Sequence, residues 1–294
     1  CLFILLLFIS TVGLFADQAL VVYAEGKAEL KTGAGWKPIA TGDLLPESAV
    51  VRVSSGGLLE LSYQKQMITV FEGGTLSLKE LAERSRRLRG GSALAGVDSK
   101  IKKVAGADDD RYQKIAAMGM RGEEGYVDPG LLWPDEEIDP IPPGKKLLEE
   151  EKYKEAIDYF LAALRDSHNP AYDPFLNYYL AYAYSQTTQN AQALACLNKI
   201  SIGPDHPFYP DYVLLRGRLL IGSFAFQPAV FLFNDYLSHF PKGDDAQAVL
   251  LMAAYGYQGL GDTAKQKEYL TRAAEFDPET DIGKEAHTQL QQLK

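Results

Sequence analysis

The chain has 294 residues, of which 46% are hydrophobic and 23% charged. This balance is typical of globular proteins and excludes a fibrous or wholly disordered chain, while the length predicts two domains. The 39 acidic side chains outnumber the 30 basic ones, giving a net charge of −9, so no overall field attracts nucleic acid. With only two cysteines, a disulfide framework and a cysteine-based zinc site are both excluded.

The first sixteen residues, 1–16, are apolar and uncharged. The run is shorter than the roughly 20 residues that a transmembrane helix needs, and ordinary polar sequence follows at Asp17. This pattern predicts the core of a secretory signal peptide that is cleaved after Ala16. The alternative is an uncleaved inner-membrane anchor. Under both interpretations we expect the remainder of the chain in the periplasm or cell envelope.

Short segments of alternating or β-branched residues begin at Ala19 and are separated by glycine-rich turns. Over residues 17–128 this rhythm predicts a small antiparallel β-sandwich or a barrel-like module. The predicted strands are Ala19–Ala24, Lys27–Thr32, Ala49–Val53, Leu58–Tyr63 and Gln66–Phe71.

The order of short motifs in this module carries a resemblance. Gly26 is followed by Trp36, by Gly-Asp-Leu-Leu from Gly42, by the serine-glycine turn at 54–57, and by Ala-Met-Gly-Met-Arg-Gly-Glu from Ala117. This order resembles a FecR-type domain. The resemblance implies a β module that engages another envelope component. In the FecR family, such proteins transmit the state of an outer-membrane receptor across the inner membrane to a sigma factor.

A basic stretch follows the last predicted strand. Helical spacing predicts a helical insert at about 79–105, broken at Gly90 and Gly91. Between positions 84 and 103, seven basic residues stand against one acidic residue, Asp98. We favour a solvated helix with a flexible insert over a surface for an anionic glycan, lipid or acidic partner, and no interleaved aromatic residues point to nucleic acid. The residues of this basic strip are Arg84, Arg86, Arg87, Arg89, Lys100, Lys102 and Lys103.

A linker is predicted at 129–143, where five prolines accompany four acidic residues. Proline fixes the backbone and prevents helix, so we expect a semi-rigid connection.

Helical patterns recur over 144–294. Ala156, Ala193, Ala229 and Gln266 occupy matching positions, separated by 37, 36 and 37 residues. Each of these positions lies on the second helix of a helix pair, and in the last three pairs a first helix precedes it. For the first copy we expect only a stub, because two prolines should stop a longer helix. The predicted first helices are Lys145–Glu151 (the stub), Pro174–Gln186, Asp211–Ile221 and Ala246–Leu260.

This spacing resembles the tetratricopeptide repeat. The resemblance implies a right-handed α-solenoid of about four helix pairs, with a capping helix at Ile282–Leu293. In that family the first helix of each pair lines a concave groove, which here would suit an extended or helical peptide. The alternative is that the linker or another helix of the same chain fills the groove. The predicted groove residues are Phe175, Tyr178, Tyr182, Leu214, Arg218, Ile221, Leu251, Tyr255 and Gln258.

No constellation of residues predicts catalysis. The four histidines lack a second ligand at metal-binding spacing, and the sequence contains neither a nucleophile elbow nor a phosphate-binding loop. We therefore expect no enzyme activity, no cofactor and no bound metal.

The whole pattern predicts a non-enzymatic envelope adaptor. Its groove would bind a protein or peptide, and its FecR-like module would engage another envelope component. Two alternatives stay open. One is a FecR-type transmembrane signalling regulator, and the other is a protein attached to peptidoglycan or glycan through the β module and its basic strip. Solenoids also pair with one another, so a homo-oligomer is a further expectation.

Overall fold

A computed structural model describes residues 18–71, 74–89, 94–105, 140–166 and 170–293. The predicted signal segment at 1–16, the FecR-like motif from Ala117 and most of the predicted linker lie outside these residues. The chain divides into two compact units, Cys1–Ser92 with Leu220–Ala225, and Ala93–Leu219 with Phe226–Lys294. The predicted insert at 79–105 is therefore shared between the units, and the predicted module end at 128 stays untested.

The first unit contains two four-stranded antiparallel sheets. Its strands are β1 Gln18–Glu25, β2 Ala28–Thr32, β3 Gly35–Pro38, β4 Leu44–Pro46, β5 Val50–Val53, β6 Leu58–Tyr63, β7 Gln66–Phe71 and β8 Gly74–Ser77. One sheet has the order β4-β1-β6-β7 and the other β3-β2-β5-β8. The prediction of antiparallel β structure is confirmed. Both sheets have two free edges among the described strands, so they form no closed barrel there.

The central strand β6 carries much of the first unit's core. Leu58, Leu59 and Leu61 are at most 1% exposed, and β6 lies between β1 and β7. The carboxylate of Glu60 is buried in the same strand, and the Thr69 hydroxyl on β7 donates a 2.9 Å hydrogen bond to its Oε1. A buried polar group needs such a partner.

Helix α1, Leu78–Arg89, packs on β7 and β8. A capping box begins it: the Glu80 backbone N–H donates to Ser77 Oγ over 3.2 Å, and the Ser77 N–H donates to Glu80 Oε2 over 3.0 Å. This arrangement satisfies donors that the first turn of a helix leaves unpaired. Leu78 and Leu81 are fully buried.

The second unit is helical. Its α-helices are α2 Ala95–Ala105, α3 Ile141–Glu149, α4 Tyr153–Asp166, α5 Asp173–Gln186, α6 Asn190–Asn198, α7 Tyr209–Gly222, α8 Phe226–His239, α9 Ala246–Leu260, α10 Thr263–Phe276 and α11 Asp281–Gln292, with α7 ending in the segment that groups with the first unit. Consecutive helices pack together from α3 to α6 and from α8 to α11. The predicted helices after 144 are all present, with α9 matching its predicted bounds.

The first helix of the series differs from its prediction. We expected Pro142 and Pro143 to stop it, and this was wrong: α3 begins at Ile141 and holds both prolines in its first turn. A proline there costs no hydrogen bond, because the first N–H groups of a helix have no partner within the helix.

Small residues mark where paired helices approach. Gly144 on α3 and Gly217 on α7 lie so close to the rings of Phe160 and Phe233 that a Cβ on either glycine would come within 3.0 Å of ring carbons. The equivalent positions of the other copies hold Ala181 with Leu197 and Ala254 with Leu270, all at most 1% exposed. Both series have the 37, 36 and 37 spacing of the sequence repeat, so α3 with α4 forms the first pair.

Candidate functional site

Helix α2 carries an apolar face that is buried in the second unit. Leu94, Val97 and Ile101 follow helical spacing and are 8%, 0% and 4% exposed. The helix contacts α3 and α11, which are the first and the last of the helices after the linker. Positions three and four apart share one face of a helix, so the buried stripe fixes which residues of α2 lie beside it.

One side of this stripe holds Asp98 and Lys102, four residues apart. Arg218 on α7 donates to the Asp98 carboxylate through Nε at 2.7 Å and Nη2 at 3.4 Å. Lys102 Nζ donates to Glu151 Oε1 at 2.8 Å, just after α3. The mutual hydrogen bond raises the pKa of Lys102 and lowers the pKa of Glu151.

The other side of the stripe holds Gly96 and Lys100, again four residues apart. A Cβ on Gly96 would be 2.7 Å from Cγ1 of Ile282 on α11, so this position accepts only a very small residue. Lys100 Nζ donates to the Asp244 carbonyl at 2.7 Å and to Asp245 Oδ1 at 3.0 Å, at the start of α9.

Helix α2 therefore contacts residues in or next to α3, α7, α9 and α11. The first three of these are first helices of the repeat, and α11 is the capping helix. Another helix of the same chain in the predicted groove was an open alternative. The structure gives a hydrogen-bonded contact to α2 at one of the nine predicted groove residues, Arg218.

The energetics of this contact are modest. Arg218 and Asp98 are 34% and 52% exposed, and a pair this open to solvent contributes about 0–1 kcal/mol. Lys102 and Glu151 are more exposed still, so solvent screens them further. Burial of an aliphatic side chain contributes about 1.5–3 kcal/mol, so the apolar stripe dominates. At 11 residues, α2 is shorter than the roughly 12–15 residues that an isolated helix needs, and its helical form depends on this surface.

Most of the predicted groove residues lie in the core. The Phe208 ring, which precedes α7, packs on Phe175 and Tyr178 at centroid distances of 5.1 and 4.6 Å. Three aliphatic groove residues are at most 1% exposed: Leu214, Ile221 and Leu251. These side chains stabilise the fold, so any direct contact with a partner would come from their neighbours.

Two predicted groove tyrosines have partners within the chain. Tyr182 packs edge-on against Tyr153 at 6.4 Å, and burial raises its pKa, with further contributions from Tyr153 and from the carboxylates of Glu151 and Asp98. The Tyr255 hydroxyl donates to Glu285 Oε1 at 3.0 Å, and burial together with this carboxylate raises its pKa. Tyr182 thus lies in the electrostatic environment of α2.

Solvent still reaches two of the nine predicted groove residues, Arg218 and Gln258. Arg218 carries the ion pair to α2, and Gln258 is exposed near the end of α9. A role for the nine as a partner-binding groove stays a prediction.

The predicted basic strip is divided between two helices. Arg84, Arg86, Arg87 and Arg89 belong to α1 in the first unit, and their side chains lie outside the description, as does that of Lys103. Lys100 and Lys102 belong to α2 in the second unit, where both are bound to acidic groups. Within the described residues, these two lysines are engaged in the chain's own structure.

Sequence reasoning missed a second surface, between α8, α9 and α10. Phe231 is 75% exposed, and Leu260 is 42% exposed. Together with Asp235, Tyr257 and Lys265 they line an open groove of about 570 Å³. An aromatic residue at an outward position of a second helix, Phe231 between two buried positions, was the available signal.

Two negative findings apply to the described residues alone. No three His, Cys, Asp or Glu side chains in that part of the chain form a group able to hold a metal ion. The same residues contain no helix with the length and apolar character needed to cross a bilayer.

Comparison with known proteins gives distant structural likeness only. No protein-family model and no curated protein matches the chain. The chain is similar to the structure "MamA 41-end from Desulfovibrio magneticus RS-1", with 17% identity, 51% of this chain and 89% of that chain covered, and a TM-score of 0.42. It is also similar to "MamA RS-1 ArsTM double mutant", with 14% identity, coverage of 64% and 96%, and a TM-score of 0.41. Both scores are below 0.5, so the description of the helical region rests on its own geometry.

Proposed function

We propose that this chain is a non-enzymatic adaptor of the cell envelope. Its helical region, a solenoid of the tetratricopeptide type, binds a helical segment of a partner protein along the first helices of its repeats. The observation that carries this proposal is the seating of α2 there, with Asp98 on Arg218 and Lys102 on Glu151. A surface that holds one amphipathic helix has the shape and charges to hold another.

The β module supplies the second contact of the adaptor. The order of its motifs supports a FecR-like role in engaging another envelope component, and the basic residues of α1 are its candidate anionic-partner surface. The apolar segment at 1–16 supports export to the periplasm. The FecR-type signalling regulator and the glycan-attached protein remain the alternatives to this proposal.

Site-specific photo-crosslinking in the native envelope tests the adaptor role. A photoreactive residue replaces Gln258, which is exposed near the end of a first helix, and a matched control replaces Lys267, which is exposed on the second helix α10. We expect a discrete crosslinked protein from position 258 that is absent from position 267. Identical products from both positions, or none from either, would reject a partner on the first helices.

A further inference from the structure

Helix α2 has the properties of an internal ligand, and we propose that it occupies the place of a partner helix of the same chemistry, which displaces it on binding. This inference rests on the proposed function and specifies the partner of that same surface. The partner would be an amphipathic helix with the side-chain pattern of α2.

That pattern follows from the contacts. The partner needs apolar residues at the spacing of Leu94, Val97 and Ile101, which are all buried. On one flank it needs an acidic residue for Arg218, followed four positions later by a lysine for Glu151. On the other flank the partner needs a glycine against Ile282.

The fourth position of the pattern completes that second flank. Lys100 Nζ reaches both the Asp244 carbonyl and the Asp245 carboxylate. At every second position, the required residues are therefore a glycine at 96, an acidic residue at 98, and basic residues at 100 and 102. Each member faces a group of complementary size or charge, and charge complementarity of this kind selects a partner more than it strengthens binding.

Displacement requires a partner that replaces the buried stripe of Leu94, Val97 and Ile101, because the flanking ion pairs fix α2 only weakly. Its ion pairs are partly exposed, with Asp98 at 52% and Lys102 at 66%, and salt screens such pairs. What favours α2 is its attachment to the same chain, which acts as a high effective concentration. A separate helix competes when it makes the same contacts at sufficient concentration, or makes additional ones.

Peptide binding to the full-length chain tests this inference. The probe is a fluorescent, end-capped peptide of residues 94–105, titrated into wild type and into the variant Asp98→Arg/Lys100→Glu/Lys102→Glu, in which α2 opposes like charges. We expect the variant to bind the peptide about 10-fold or more tightly than wild type does, because the tethered competitor has been weakened. The control variant is Ser99→Ala, on the exposed face of α2, and should bind as wild type does.

Two further arms fix the site and the charges. A peptide carrying the same three charge reversals should fail to bind the variant. Gly96→Leu, which drives a side chain into Ile282, should release α2 without altering its charges and should also raise peptide affinity. This second variant keeps the test decisive if the triple variant does not fold, as judged by circular dichroism and thermal melting.

Three results would overturn the inference. They are equal peptide affinity for folded variant and wild type, equal binding of the charge-reversed peptide, and crosslinks showing that α2 of one chain seats in a second copy at all concentrations. The adaptor proposal has its own test. If the peptide binds but no envelope protein crosslinks at Gln258, the surface binds only a helix of its own chain and the adaptor proposal fails. If an envelope protein crosslinks at Gln258 but the peptide does not bind, the adaptor proposal stands and the partner does not resemble α2.

Discussion

Gly217 and Phe233 are packed so tightly that the glycine position has no room for a Cβ next to the aromatic ring. The same close packing joins Gly144 and Phe160, two helix pairs earlier in the chain. In the pair between them, the corresponding residues are Ala181 and Leu197. The small and the large residue therefore change together between copies, as close packing requires.

Replacement of Gly217 by alanine is expected to destabilise the protein. Overpacking of a core costs about 1–3 kcal/mol, which exceeds the roughly 1 kcal/mol that alanine gains over glycine in a helix. The double variant Gly217→Ala/Phe233→Leu reproduces the alanine–leucine combination of the other pairs and should recover part of the loss. Chemical denaturation measures all three proteins, and a Gly217→Ala variant as stable as wild type would contradict the packing seen here.

A buried hydrogen bond in the β module gives a second prediction. The Thr69 hydroxyl donates to the Glu60 carboxylate, and the two residues are 2% and 0% exposed. Thr69→Val keeps the shape of the side chain but removes the donor, and loss of a hydrogen bond to a buried polar group costs about 1–3 kcal/mol. Thr69→Ser, which keeps the hydroxyl, is the control and should lose less. A valine variant as stable as wild type would show that the bond contributes nothing.

The third prediction concerns pH. Burial lowers the pKa of His206 below its ordinary 6.5, and Nδ1 accepts the Phe208 backbone N–H at 3.1 Å, which requires that nitrogen to be unprotonated. The unfolded chain therefore takes up a proton at higher pH than the folded chain does. Linkage then requires the free energy of unfolding to fall as the pH drops from above 6.5 through the folded pKa.

Denaturation of wild type and His206→Asn between pH 7.5 and 5 measures this effect. The asparagine carbonyl can accept the Phe208 N–H but does not titrate, so the variant should lose less stability than wild type on acidification. Parallel pH profiles for the two proteins would exclude His206 as the cause.

Periodicity explains how much of the fold the sequence predicted. The repeat spacing placed α5 to α11 within a few residues, because a buried stripe recurs every three or four positions in each helix. The short strands β3, β4 and β8, with four, three and four residues, were missed because so few residues establish no alternation. Trp36 was noticed as a motif residue, yet its strand was not.

The seating of α2 could not be predicted in the same way. Its ion pair joins Asp98 to Arg218, 120 positions away, and a contact between partly exposed charges leaves no periodic signal in either segment. The sequence did indicate a helical insert at about 79–105, broken at Gly90 and Gly91, and it placed Arg218 in the predicted groove. Only the fold brings Asp98 and Arg218 together.

Salt should loosen α2 selectively. Its contacts combine a short apolar stripe with ion pairs to Glu151, Arg218 and Asp245, whereas α9 is almost wholly buried from Ala246 to Tyr257. Raising the ionic strength from 0.05 to 0.5 M shortens the Debye length to a few ångströms, on the order of the ion-pair distance itself. Hydrogen exchange in full-length wild type should therefore become faster in α2 and stay constant in α9. In the variant Asp98→Arg/Lys100→Glu/Lys102→Glu, α2 should exchange fast at both salt concentrations. An α2 that exchanges equally slowly at low and high salt would show that its apolar stripe alone holds it, and that the flanking charges do not select the occupant of the groove.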